Sequence, residues 1–191
     1  MKKVIQKVIG KLIRSMKTSR ADVLNRLIKK YNCKSVCEIG VWKGENLFKL
    51  AKDNKNVMFT GVDPYDSCIY EDKPNSADYL GDLEEIKKDV LKKAILFDNV
   101  RIICHTSKKA SEYLKDFDLI FIDGEHTYNA VKHDIEIWLP KTNKVISGHD
   151  FSVRHFGVIK AVTERFEYYN YDGDKIWWCE VKNEKYIINS T

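Results

Sequence analysis

Five short apolar runs, each ending in a glycine, an acid or a histidine, constrain this chain more than any other feature: "SVCEIG" (35–40), "VMFTGVD" (57–63), "VRIICH" (100–105), "DLIFID" (118–123) and "KVISGHD" (144–150). Helical patterns follow them, from about Glu45 and then at "DLEEIKKDVLKKAI", "SKKASEYL", "YNAVKHDIEIWL" and "GVIKAVTERFEYY". Unbroken apolar runs read as strands covered on both faces, and their alternation with helices reads as a parallel sheet. Two later runs, "KIWWCEV" and "KYIIN", alternate in polarity and predict a terminal hairpin. The expected fold is therefore α/β, a Rossmann-like, mostly parallel sheet with helices on both faces.

At 191 residues the chain is long enough for one domain with a full core. Residues 31–191 are read as that domain and 1–30 as an N-terminal helical segment. Ser19 is the expected N-cap of a helix at "ADVLNRLIKKY". Before it, "MKKVIQKVIGKLIRSM" places Val4, Ile5, Val8, Ile9, Leu12, Ile13 and Met16 at helical spacing among lysines and arginines. Such a basic amphipathic helix either contacts a membrane surface or partner, or packs on its own domain with a solvated basic face.

The net charge of +5 is confined to this end. Seven of the 33 basic residues lie within 1–20, with no acid, which leaves 26 against 28 acids in the rest. A nucleic-acid reader carries a basic face on its folded body, so nucleic acid is not the expected partner. The five cysteines form no CxxC pair, which points to buried thiols in a reducing compartment and a cytoplasmic location. The apolar positions of the N-terminal segment are interrupted by Lys7 and Lys11, so neither a signal peptide nor a membrane span is expected.

In open parallel sheets, ligands bind beyond the carboxyl ends of the strands. Those ends carry Glu38 and Gly40, Asp63, His105, Asp123 with Glu125, and His149 with Asp150. One acid after a strand is ordinarily a turn former or helix cap; repetition at the same end of every strand points to a site. The first loop, "EIGVWKGEN", has glycines at 40 and 44 but lacks the dinucleotide fingerprint, and Glu38 stands where that fingerprint has its first glycine. A carboxylate there would repel a pyrophosphate and attract a cation, which suits the sulfonium and ammonium of S-adenosylmethionine better than NAD.

These residues resemble a family. "VCEIGVWKGEN", "FTGVDPYD", "DLIFIDGEHTYNAVKHDIEIWL" and "VISGHDF" followed by "GVIKAV" are similar to class I S-adenosylmethionine-dependent methyltransferases. Within that class they resemble the small group sharing I-D-G-D/E-H-x-Y and G-H-D-F/Y motifs, related to macrocin-type and caffeoyl-CoA-type O-methyltransferases. The resemblance covers about residues 34–190. It implies a seven-stranded sheet with an antiparallel last strand, Glu38, Gly40 and Gly44 at the methionine end of the cofactor, Asp63 on its ribose, and Thr106 and Ser107 beside the adenine. It also places Asp123 beside the cofactor and at the first carboxylate of a metal site, with His149 and Asp150 as further ligands. His149 departs from the oxygen donors that magnesium prefers, so a cation, if used, could as well be manganese, iron or zinc.

The implied reaction is O-methylation of a small-molecule or saccharide acceptor. Asp123, Glu125 and His126 form the catalytic set, with Glu125 or His126 as base. His133 and His155 are expected to be ordinary solvated or core histidines. The polar stretch 64–82 is a candidate lid. Of Trp177 and Trp178, adjacent on a strand, one should face the core and the other an acceptor pocket or a subunit interface, which would make the protein a homo-oligomer. The rival classes are a nucleotide-dependent oxidoreductase or epimerase on a similar sheet, a non-catalytic binding protein, and a nucleic-acid methylase, for which an N/D-P-P-Y-type motif is missing.

Overall fold

A computed structural model of the chain describes residues 18–66 and 82–181. The basic amphipathic stretch, most of the candidate lid and the run "KYIIN" lie outside the described residues. The strands are β1 Ser35–Ile39, β2 Met58–Val62, β3 Val100–Ile103, β4 Phe117–Ile122, β5 Thr142–Gly148, β6 Asn170–Asp172 and β7 Ile176–Glu180. The helices are α1 Arg20–Lys30, α2 Glu45–Asp53, α3 Leu83–Ala94, α4 Ser107–Tyr113, α5 Tyr128–Trp138 and α6 Phe156–Arg165. All seven strands form one sheet in the order β3-β2-β1-β4-β5-β7-β6. The pairs among β1 to β5 are parallel, and β7 runs antiparallel to both β5 and β6.

The pleat of the central strand shows why helices cover both faces. Leu119 and Phe121 of β4 enter one buried cluster with Leu24, Leu27, Leu47, Phe48 and Phe59. Ile120 and Ile122, pointing the other way, enter a second with Val131, Trp138, Val158, Val162 and Trp177. Each such side chain, fully buried, contributes roughly 1.5–3 kcal/mol, and a strand apolar on both faces is stable only between two helical layers.

α1 contributes to this core. Its start is fixed by a capping box in which the Ser19 hydroxyl accepts from Asp22 N and the Asp22 carboxylate accepts from Ser19 N. Ala21, Val23, Leu24, Leu27 and Ile28 then bury along one face. The cap ties the helix entrance, and with it Arg20, to one place at the sheet edge.

Two expectations are corrected at the C-terminal side. α6 ends at Arg165 rather than running on to the tyrosines, and the hairpin partner of β7 is Asn170–Asp172. The tyrosines and the Asp-Gly at 172–173 are strand and turn signals hidden inside a helix-like periodicity. Asp174 and Lys175 in the connecting turn both adopt left-handed backbone conformations. Trp177 is buried, as one of the pair had to be, and Trp178, partly buried, does not line the cavity. It packs edge-on to Tyr31 at 6.1 Å, and the Lys30 ammonium lies 4.8 Å from its ring.

Candidate functional site

Register brings the site together. Ile39 pairs with Val62 on one side and Ile122 on the other, and Ile122 pairs with Gly148. The residues that follow these four, Gly40, Asp63, Asp123 and His149, therefore leave the sheet side by side. Around them opens a cavity of about 1030 Å³, walled by the loops after β1, β4 and β5 and by the entrance of α1. Of the residues expected in the site, Glu38, Gly40, Asp63, Asp123, Glu125, His126 and Asp150 line it.

Gly40 has φ +88, and a Cβ there would lie 2.3 Å from the Asp123 carbonyl oxygen. Only glycine lets β1 end this close to β4. Two residues on, Trp42 takes φ +48, a costly conformation for a large side chain. Asp63 holds it there: Oδ2 accepts from Val41 N and Trp42 N, both at 2.9 Å, and Oδ1 accepts from Tyr65 N at 2.9 Å. The Tyr65 hydroxyl closes the clamp by donating to the Trp42 carbonyl at 3.0 Å. The carboxylate that the resemblance gives to a ribose is thus already engaged by three backbone N–H groups. Gly44, at φ +71, starts α2 and packs on Phe48, outside the cavity wall.

Beneath this loop lies Glu38, 2% exposed. Asn46 donates to Oε1 at 3.1 Å, while Oε2 is buried and has no hydrogen-bond partner, as has Asn46 Oδ1. Burial, reinforced by the neighbouring charge of Asp123, pushes the Glu38 carboxyl up to about 8. An incompletely satisfied buried carboxyl on a cavity wall is a place for a cationic donor.

The opposite wall is a mesh of charges. Asp123 is paired with the Arg20 guanidinium, and burial pushes its carboxyl up to about 6 against the pull of that cation. Asp150, in a left-handed conformation at φ +54, is bonded by His126 Nε2 at 2.7 Å. His155 Nε2 and Lys175 Nζ lie 3.6 and 3.5 Å from its other oxygen. Burial opposes ionisation of Asp150, but the His126 bond and the nearby His149 and His126 rings outweigh it and hold the carboxyl far below its usual range. Burial would likewise lower His126, and the Asp150 partnership reverses this and raises it. Burial and the adjacent His126 lower His155, whose ring centroid is 4.7 Å from that of His126.

His149 stands behind this wall, 7% exposed on its side chain, with Nδ1 3.4 Å from Asp123 Oδ1 and 3.1 Å from Asp150 Oδ2. Both ring nitrogens are buried without a hydrogen bond. The donor atoms of Asp123, His149 and Asp150 lie within 4.8 Å of one another, a set of oxygen and imidazole ligands that fits a divalent cation. His126, Asp150 and His155 form a second group of the same compactness.

Thr106 and Ser107 do not line the cavity. The Thr106 hydroxyl caps α4 by accepting from Lys109 N, and the Ser107 hydroxyl donates to Asp134 and accepts from Trp138 Nε1 at 2.8 Å. Glu125 lines the cavity with one carboxylate oxygen accepting from Thr127 Oγ1 at 2.9 Å. Sequence reasoning missed Arg20, His155 and Asp174. Asp174 accepts from Arg20 N at 2.7 Å and reaches the site only because of the β6–β7 turn; His155, unremarkable in the sequence, lines the cavity. His133 is exposed on α5. Cys33 and Cys179 are pushed up to about 12 by burial, and Cys37 and Cys104 are also raised by burial, so none of the four is poised as a nucleophile.

The strand order, the antiparallel β7 and a cavity at the carboxyl ends of β1, β4 and β5 define a class I methyltransferase fold. A family described as a methyltransferase domain matches residues 37–151, and the chain belongs to that family. Solved structures agree on the fold. A Staphylococcus aureus protein assigned as a caffeoyl-CoA O-methyltransferase superposes with a TM-score of 0.62 at 17% identity, covering 94% of this chain and 91% of that one. The O-methyltransferase of Bacillus cereus in complex with SAH gives 0.58 at 17% identity, covering 95% and 90%. The SAH-bound methyltransferase PaMTH1 of Podospora anserina gives 0.61 at 13% identity, covering 86% and 78%. Among curated proteins, y4gI of Sinorhizobium fredii is 38% identical over 61 residues, which are 30% of this chain and only 7% of that protein. Among the described residues no helix is long and apolar enough to cross a membrane.

Proposed function

We propose that this chain is an S-adenosylmethionine-dependent O-methyltransferase acting on a hydroxyl of a small molecule or a sugar. The observation that carries the reading is Glu38: a buried carboxyl with an unpartnered oxygen in the wall of a class I cavity, beside a glycine loop held in a strained shape. It suits a ligand with a cationic amino-acid end. S-adenosylmethionine supplies a methyl on a sulfonium, displaced in line by the acceptor oxygen with release of a neutral thioether.

The residues of this chain then divide the work. Glu38 binds the ammonium, and Gly40 with the Asp63-clamped loop shapes the seat around it. His126 takes the hydroxyl proton on Nδ1, since its Nε2–H is the group that donates to Asp150, and Asp150 stabilises the imidazolium that results. Asp123, His149 and Asp150 would hold a divalent cation, which would lower the pKa of the acceptor hydroxyl, and the imidazole donor favours manganese over magnesium. Tyr128, Phe156 and Trp42 on the cavity wall give the acceptor an aromatic surround. Most of the rate enhancement comes from holding the hydroxyl in line with the methyl.

Calorimetry of the full chain with S-adenosylmethionine, S-adenosylhomocysteine and NAD tests the reading. The expected result is binding of the first two and none of NAD. NAD binding without the others would replace methyl transfer by nucleotide-dependent redox or epimerase chemistry.

A further inference from the structure

Asp150 belongs to two groups of donor atoms, and they differ in the metal they suit. With Asp123 and His149 it gives two carboxylates and one imidazole; with His126 and His155 it gives one carboxylate and two imidazoles. The second group is brought together by backbone. Ser152 N donates to the Asp150 carbonyl at 2.7 Å and His155 N to the Ser152 carbonyl at 2.9 Å, which folds the loop after β5 back on Asp150. Gly157 then lets the entrance of α6 press on the loop after β4, since a Cβ there would lie 2.6 Å from Tyr128 N and 3.0 Å from the His126 carbonyl oxygen. The His126 and His155 rings meet on the cavity wall as a result. His155 Nε2 stands 3.6 Å from Asp150 Oδ1. That is too far for a hydrogen bond, and close to the roughly 3.4 Å between two ligands of a tetrahedral zinc ion whose bonds are about 2.0–2.2 Å long.

We propose that His126, Asp150 and His155 form a zinc site that switches methyl transfer off. Imidazole nitrogens suit zinc, whereas a pair of carboxylates suits manganese or magnesium, so the two groups sort cations by type. Both need Asp150, and the charges of Arg20 and Lys175 beside Asp123 and Asp150 disfavour two dications at once. Filling one group therefore empties the other. The side chains of His126 and His155 keep 41% and 32% of their surface exposed, so an ion reaches them from the cavity. Zinc bonds to His126 Nε2, which gives up its hydrogen bond to Asp150, and the one remaining ring proton moves by exchange with solvent to Nδ1. The consequence rests on the methyltransferase reading: Nδ1 is the atom that takes the hydroxyl proton, and with zinc bound it is already filled, while Asp150 is held by the metal instead of supporting an imidazolium.

The test uses the full chain, freed of metal by chelator and titrated with Zn²⁺ in a calorimeter. His155→Ala should weaken zinc binding by at least about tenfold, as the loss of one of three ligands requires. His155→Gln, which keeps the bulk of the side chain, should do the same, so that loss of the site is not confused with loss of the fold. Asp123→Asn should leave zinc affinity within about threefold, because Asp123 belongs to the other group. The proton is read by nitrogen magnetic resonance of chain labelled at histidine, with His126→Gln identifying the signals: zinc should shift His126 Nε2 to a metal-bound position and leave the proton on Nδ1. Zinc binding that both His155 variants retain would overturn the proposal, as would binding lost in Asp123→Asn alone or a His126 Nδ1 without a proton in the zinc-loaded chain. Calorimetry of the metal-free chain with S-adenosylhomocysteine separates the two readings. Binding there, with no zinc site that depends on His155, removes the switch and leaves the methyltransferase reading; a His155-dependent zinc site without S-adenosylhomocysteine binding leaves the metal site and overturns its role as a switch of methyl transfer.

Discussion

The two walls of the cavity are built by opposite means. The β1 side is short in sequence and held by backbone: Gly40 at φ +88, Trp42 at φ +48 and three N–H groups on Asp63, with one buried acid left wanting a partner. The β4–β5 side is assembled from α1, two strand ends and a hairpin turn, and its charges largely satisfy one another through Arg20–Asp123 and His126–Asp150. The first arrangement is a rigid seat for one ligand that never varies; the second is a set of groups able to exchange partners, as proton transfer requires. Damage to one wall should therefore show in affinity and stability, and damage to the other in turnover.

The largest expected effect is on the exchangeable wall. His126→Ala should lower turnover by roughly 10²–10⁴, the usual cost of a positioned general base, while S-adenosylhomocysteine affinity stays within about twofold. Since Asp150 raises His126 above its ordinary 6.5, turnover should climb with pH through a limb above that value as the imidazole loses its proton. Asp150→Asn should move the limb downward. Full activity of His126→Ala would leave Glu125 or positioning alone, and Glu125→Gln then decides between these.

Next in size is the clamp. Asp63→Ala leaves three N–H groups without their acceptor, and charge-assisted bonds of this kind contribute about 1.5–3 kcal/mol each, less than additively. A loss of about 2–4 kcal/mol in ligand-free stability is expected, along with weakened cofactor binding. An unchanged melting temperature with weakened affinity would show instead that the carboxylate serves the ligand directly, and the contrast between the walls would fail at this residue.

The same contrast explains what could be read from the chain alone. The parallel strands other than β3 were legible as apolar runs too continuous to be half-exposed, the partly buried edge strand β3 by its place in the strand–helix alternation, and Glu38, Asp63, Asp123, His126 and Asp150 were legible because they stand at or just past strand ends. Register then carries them to one edge. Arg20 and Asp174 were not legible, since each reaches Asp123 or α1 across more than a hundred residues of separation. Thr106 and Ser107 fall outside the cavity wall for a related reason: a hydroxyl after a strand can cap the next helix or bridge to its neighbour, and only packing decides.

The smallest effect, and the sharpest comparison, concerns Glu38. Its carboxyl is held near 8 in the fold against an ordinary 4.5, so the folded protein keeps a proton that the unfolded chain releases. The linkage has a definite sign: ligand-free stability is greatest below about 4.5 and falls as pH rises toward about 8, where the buried group ionises. A cationic ligand reverses the preference, because only the carboxylate attracts it. Binding of S-adenosylhomocysteine at pH 7 should then release close to one proton, measured by calorimetry in two buffers of different ionisation enthalpy. Glu38→Gln should abolish that release, weaken binding about tenfold as a charged hydrogen bond becomes a neutral one, and raise the melting temperature of the ligand-free protein at pH 8. Proton release that persists in the variant would move the ligand's cationic end away from Glu38. A variant no more stable than the parent at pH 8 would mean that the buried acid finds its partner within the protein, and the seat would no longer be the strained half of the site.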